Sequence, residues 1–209
     1  MQRIVVHTNE EGKQEFFGTT APENVSSVAS IDAFLQSSAD VFIDLLFTRE
    51  PLKIEALKKL KGLVIINSVV DTLQEMQAPF VRINAWPGFS HDLIEASCLN
   101  ESLKQTVEKV FQSLDKRVQW LPDEPGFVTP RVISMIINEA YYALGEAISS
   151  KEEIDTAMKL GTAYPFGPFE WATKIGLQNI LALLSRLSKE KQQYKPAPLL
   201  LQEALAAMY

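Results

Sequence analysis

The feature that most constrains this 209-residue chain is a change of pattern at Pro125-Gly126. Before that dipeptide, short apolar runs alternate with stretches of helical period. RIVVHT (3–8), NVSSVA (24–29), DVFIDLLF (40–47), LVIINSV (63–69), FVRINAW (80–86) and VQWLP (118–122) read as strands. Helical periodicity falls between them at 30–38, 50–61, 70–77 and 100–115. The helix at 50–61 opens on Glu50-Pro51, a good first-turn pair, and stops before Gly62. Such alternation predicts an α/β layer around a mainly parallel sheet. EFFGT (15–19) is expected to fold back on the first strand as a hairpin through the polar, glycine-bearing NEEGK. After Pro125-Gly126 the β-branched runs stop and helical patterns take over at 130–149, 151–160, 176–189 and 198–208. Ser150 and Glu153 have the spacing of a capping box, and Gly161 can close the helix they open. The predicted organisation is an α/β domain over 1–122 and an all-α domain over 123–209. The helix at 130–149 is apolar in too many directions for one core-facing stripe, so it is expected to be covered on several sides.

Composition excludes several classes. A net charge of −6 leaves no basic surplus for a nucleic-acid surface, and Lys58, Lys59 and Lys61 read as the solvated end of a helix. Cys98 is the single cysteine, which rules out an intrachain disulfide or a cysteine-built zinc site. His7 and His91 are the only imidazoles, too few for a typical transition-metal site. No apolar run reaches bilayer length, and MQRIVVHTNEEGK lacks the order of a secretory signal. No metal, nucleic-acid or membrane partner is expected, and the location expected is cytoplasmic.

The most specific stretch is INEAYYALGEAISSKEEIDTAMKLGTAYPFGPFEWATKIGL, followed by Tyr194-Lys195-Pro196-Ala197-Pro198-Leu199-Leu200. With DEPGFVTPRV (123–132) upstream, it resembles the 3-hydroxyacyl-CoA dehydrogenase family, strongly over 123–202 and more faintly from about residue 24. The resemblance implies a Rossmann-like sheet domain, truncated here, before a helical domain through which the family dimerises. It also implies NAD as cofactor and 3-hydroxyacyl-CoA as substrate.

The departures from the family are as informative as the agreement. The family carries G-x-G-x-x-G in its first βα turn, where the cofactor pyrophosphate meets a helix N-terminus. Here no two glycines are closer than six positions, and a hairpin over the first 23 residues leaves no room for such a unit, so no NAD cradle is expected. The family's catalytic histidine stands in H-F-F-N-P, oriented by a later glutamate. The aligned residues are Ile83-Asn84-Ala85-Trp86-Pro87, with Glu95 at the glutamate position. The hinge asparagine that faces substrate has become Pro130, and N-T-S-S is half kept at Asn67-Ser68. Of the charged cofactor contacts, one lysine survives as Lys53.

Each remnant has a plain alternative. Glu95 is either an idle catalytic remnant or a solvated or salt-bridged glutamate at a strand end. Lys53 reads as a solvated face residue and His7 as an ordinary strand residue. His91 could replace the lost histidine only if its segment curls, because four strand residues separate it from Glu95 by about 13 Å. Asn67, Ser68, Trp86, Phe89 and Phe127 either line a substrate cleft between the domains or simply pack. The YPFGPFEW block reads as structural, its prolines and glycines fixing helix ends. The expectation is a non-catalytic homodimer that keeps a cleft for acyl-CoA or another small molecule. The alternatives are a working NAD-dependent enzyme and a scaffold that pairs with a full-length homologue.

Overall fold

The computed structural model describes residues 2–18, 21–89 and 92–207, so His91 lies outside the described residues. The chain divides into two compact units, Met1–Phe127 and Val128–Tyr209. The dividing point falls within the hinge motif of 123–132, and Gly126 donates its amide to the Val69 carbonyl at 2.8 Å, which fastens the first part of the motif to the sheet unit.

In the first unit the strands are β1 (Ile4–His7), β2 (Val25–Val28), β3 (Val41–Asp44), β4 (Leu63–Asn67), β5 (Val81–Ile83), β6 (Leu93–Cys98) and β7 (Arg117–Trp120). They form one sheet in the order β2-β1-β3-β4-β5-β6-β7. All neighbours run parallel except β5 and β6, which pair antiparallel with Ile83 opposite Ala96. The helices are α1 (Glu10–Phe17), α2 (Ile31–Gln36), α3 (Pro51–Leu57), α4 (Leu73–Met76) and α5 (Lys104–Gln112). Successive strand residues face opposite layers, which is why the runs are almost continuously apolar. One core gathers Ile4, Val6, Ile43, Ile65 and Val81 with Phe16 of α1 and Val107, Val110 and Phe111 of α5. The other gathers Val5, Phe42, Val64 and Ile66 with Phe34 of α2, Ile54 and Leu57 of α3, and Leu73 of α4.

The expected N-terminal hairpin is not formed. Residues 10–17 are helix, and β2 returns parallel to β1 with Ile4 beside Val25. The cause is local: Asn9 accepts the Gly12 amide as an N-cap, Glu10 and Glu11 suit the positive helix end, and Phe16 buries into the sheet. A β1–α1–β2 unit therefore exists where none was expected. The segment of β6 is not among the apolar runs read as strands, although Glu95 is placed at a strand end, because Glu95 and Ser97 interrupt its apolar pattern while both are buried.

The second unit holds α6 (Thr129–Gly145), α7 (Lys151–Thr162), α8 (Pro168–Ile175), α9 (Leu177–Ser188) and α10 (Pro198–Ala206). Gly161 does not end α7, which runs on to Thr162 and stops at Ala163 in a left-handed conformation with φ 56°. The capping box at Ser150 and Glu153 opens α7 as the spacing predicts. Asp155 of α7 caps α8, accepting the Phe169 amide at 2.8 Å and the Glu170 amide at 3.2 Å. Asn138 of α6 pins the run into α10 through the Ala197 amide and the Lys195 carbonyl. The rings of Tyr164 and Phe166 close edge-on against Trp171, so the YPFGPFEW block packs upon itself.

Candidate functional site

The strands β2-β1-β3-β4-β5 have a doubly wound order whose connections diverge between β1 and β3. In such sheets ligands bind outside the carboxyl ends of the strands, at that divergence. Here β1 ends on His7 and β3 on Asp44, neighbours in register. The His7 Nδ1 lies 2.7 Å from Asp44 Oδ1, and both residues are buried. Pro51 starts α3 close after β3, and the first turn carries Lys53 back over the strand end. Its Nζ lies 2.9 Å from Asp44 Oδ2 and donates to the Leu46 carbonyl at 3.0 Å. Lys53 is therefore not a solvated face residue, since only 10% of its side chain is exposed and its charge is spent on Asp44. His7 is likewise no ordinary strand residue. Asp44 escaped the sequence reading, although a carboxylate closing an apolar run is an unusual strand ending.

Further along the same edge, Asn67 closes β4. Its Oδ1 accepts the Ala85 amide at 3.0 Å and its Nδ2 donates to the Leu45 carbonyl at 3.2 Å. Ser68 is buried, with its hydroxyl donated to the Asp71 carbonyl at 2.9 Å. Both side chains brace backbone. Ile83 closes β5, fully buried in the core shared with Ile65, Val81 and Ile94. The following residue, Asn84, crosses to β6 and donates to Glu95 Oε2 at 3.1 Å, while its own Oδ1 accepts the Trp86 amide. Glu95 is buried on β6, not solvated at a strand end. An amide thus stands beside the carboxylate where the family resemblance implies an imidazole. Trp86 is buried and Phe89 half-buried. Phe127 is buried with φ 45°, its ring 4.1 Å from the Arg82 guanidinium.

Arg82 was missed by the sequence reading. It is fully buried and donates to Asp123 at 2.6 Å, with further bonds to the Ser68 and Glu124 carbonyls. Burial pulls its guanidinium below the ordinary value, while Asp123 opposes that shift. Asp123 also caps α4 through the Leu73 and Gln74 amides, so one ion pair fixes helix, strand and hinge motif together. Pro130, in place of the family's substrate-facing asparagine, is the second residue of α6 and offers no side-chain polar group.

The first βα turn tests whether the family's NAD fits. A dinucleotide pyrophosphate needs unoccupied amides at this helix N-terminus. Here Asn9 Oδ1 already takes the Gly12 amide, and Glu10 and Glu11 add two negative charges to the first turn. The turn does not fit a pyrophosphate. Among the described residues no group of three His, Cys, Asp or Glu side chains could hold a metal ion, and no helix is long and apolar enough to cross a membrane.

Comparison with known proteins agrees with the motif reading. Residues 126–208 match the model of the 3-hydroxyacyl-CoA dehydrogenase C-terminal domain. The 3-hydroxyadipyl-CoA dehydrogenase of Escherichia coli is 35% identical over 167 residues, covering 74% of this chain and 35% of that protein. A 3-hydroxybutyryl-CoA dehydrogenase of Bradyrhizobium diazoefficiens is 35% identical over 111 residues, covering 52% of this chain and 38% of its own length. This chain thus spans well under half of the curated relatives it matches. The crystal structure of (S)-3-hydroxybutyryl-CoA dehydrogenase from Ralstonia eutropha superposes with a TM-score of 0.71 at 28% identity, over 89% of this chain and 71% of that one. By its matched helical domain, its sheet and these relatives, the chain belongs to the 3-hydroxyacyl-CoA dehydrogenase family.

Proposed function

We propose that this member of the family does not carry out the oxidoreduction and serves instead as a homodimeric protein that binds an acyl-CoA or a related small molecule. The observation that carries this is the pairing of Asn84 with Glu95 beside Ile83. Oxidising a 3-hydroxyl requires a group that accepts the hydroxyl proton and an acceptor for the hydride. Isoleucine has no basic atom, and an asparagine amide is no base at neutral pH. The occupied, acidic N-terminus of α1 speaks against NAD as the hydride acceptor.

The test is a steady-state assay of the purified chain with 3-hydroxybutyryl-CoA and NAD. No NADH formation above a heat-denatured control is expected, and a reproducible rise would overturn the proposal. Ile83→His alone should stay inactive, because a restored base still lacks its acceptor. Acetoacetyl-CoA, in contrast, should raise the melting temperature while NAD does not. A ligand present at about a hundred times its dissociation constant adds about 2.7 kcal/mol.

A further inference from the structure

The end of β1 carries chemistry that the family's reaction does not use. Asp44 is fully buried and surrounded by donors: the Leu46 amide at 3.1 Å from Oδ1, Lys53 Nζ at 2.9 Å from Oδ2, and the His7 ring at 2.7 Å from Oδ1. A backbone amide can only donate, so Asp44 Oδ1 is the acceptor, Lys53 stands against Oδ2 as an ion pair without a hydrogen bond, and His7 Nδ1 carries the hydrogen. When the ring is neutral, that arrangement leaves the lone pair on Nε2. Phe34 packs on the imidazole at 5.5 Å between centroids and holds its plane. Among the described residues nothing hydrogen-bonds Nε2. The residue as a whole is 6% exposed, which leaves little room for a ligand to stack on it. A preset acceptor therefore stands at the divergence of β1 and β3, where doubly wound sheets take their ligands.

The surrounding charge selects the ligand class. Glu10 and Glu11 begin the helix that follows β1 and disfavour a phosphate or carboxylate. An ammonium would meet the like charge of Lys53, which sits on the same carboxylate as the His7 ring. What remains is an uncharged donor. We propose that His7, oriented by Asp44 and Lys53, is a binding residue for a neutral hydroxyl-bearing small molecule at the β1–β3 edge. The site uses neither Ile83 nor Asn84 nor Glu95, so it stands apart from acyl-CoA binding.

The experiment is long-range proton–nitrogen NMR of the full chain with ¹⁵N-labelled histidine. In the free protein above the imidazole titration range, His7 should show the Nδ1–H tautomer; the opposite tautomer would overturn the proposal. Glycerol and D-ribose, titrated separately to tens of millimolar, should move the His7 Nε2 resonance saturably while His91 stays put. Affinities of this order correspond to about −2.7 kcal/mol or weaker. No saturable shift with either polyol would overturn the proposal, and so would an equal shift with inorganic pyrophosphate. The response should vanish in His7→Phe; should that variant not fold, the wild-type titration decides alone. If acetoacetyl-CoA fails to bind while the polyol shift persists, only the acyl-CoA proposal falls.

Discussion

Gly167 sits where a Cβ would come within 2.3 Å of the Asp155 carboxylate, and the carboxylate cannot retreat because it caps α8. The glycine of the Tyr-Pro-Phe-Gly-Pro-Phe-Glu block is thus required by one close approach, not by an unusual φ. Gly167→Ala should destabilise the chain by about 1–3 kcal/mol, the usual range for overpacking. In an Asp155→Gly background, which also removes the Asp155 Cβ 2.4 Å from the added carbon, the same substitution should cost far less, although losing the cap and placing a glycine in α7 cost about 1 kcal/mol each. Urea unfolding of the wild type and the three variants reads the coupling directly, and equal costs in both backgrounds would refute the close-approach account. Arg82 makes a second residue-scale case. Arg82→Met removes the counter-ion of Asp123, leaving a buried carboxylate held only by the Leu73 and Gln74 amides, and should cost about 3–5 kcal/mol. A loss below about 1 kcal/mol would show that the two α4 amides and solvent suffice for Asp123. Neither residue could be ranked from sequence. Arg82 in FVRINAW reads as a polar interruption of a strand, and only the fold brings Asp123 within reach of it.

Elements defined by long apolar runs were legible, because a strand buried on both faces must be apolar at almost every position. β1, β3 and β4 announce themselves this way. α1 did not, since eight residues with one buried side chain resemble a turn more than a helix, and Asn9 and Gly12 are common hairpin residues. At the other end of the chain, α10 offers a test of how elements are joined. Glu203 of α10 accepts from Lys151 of α7 at 2.7 Å and from the Tyr141 hydroxyl of α6 at 2.8 Å. Burial pushes the Glu203 carboxyl up, but the bonds from Lys151 and Tyr141 outweigh it and hold the group below its usual range. A folded value below the unfolded one contributes stability above the unfolded value, and that stability is lost as pH falls through the folded value. The ion pair is about one-third exposed, so its worth is about 0.5–1 kcal/mol. Wild type should therefore exceed Glu203→Gln in stability at pH 7 by about that much, with the gap closing below about pH 4. A gap that persists unchanged into acid would mean that charge plays no part in holding α10.

For the whole molecule, the two-part organisation and the helical family signature were readable because the 123–202 motifs fix helix ends and hinge at once. The chemistry at the strand ends was not, because His7, Asp44 and Lys53 are far apart in sequence and meet only through the β1–β3 register. Assembly is the remaining whole-molecule question, and the second unit bears on it. Ile148 is 69% exposed and Leu160 83% exposed, and Val132 is half exposed on α6. Val132, Met135 and Ile136 of α6 line an open, largely apolar groove of about 390 Å³ with Tyr194. A unit of this size buries a limited share of its own surface, and apolar area of this kind is commonly covered by association. A second copy is the simplest cover, since a two-fold interface presents the same patch from both sides. Sedimentation at micromolar concentration should give a dimer, and an obligate interface would bury about 2,000 Å² or more. Because the patch is apolar, raising the salt should leave the dimer intact, whereas a charge-held interface would weaken. Val132→Glu, which buries a charge in the proposed contact but leaves the unit's own core untouched, should yield folded monomer. A wild-type monomer with an unchanged melting temperature across a hundredfold dilution would mean that these helices need no partner.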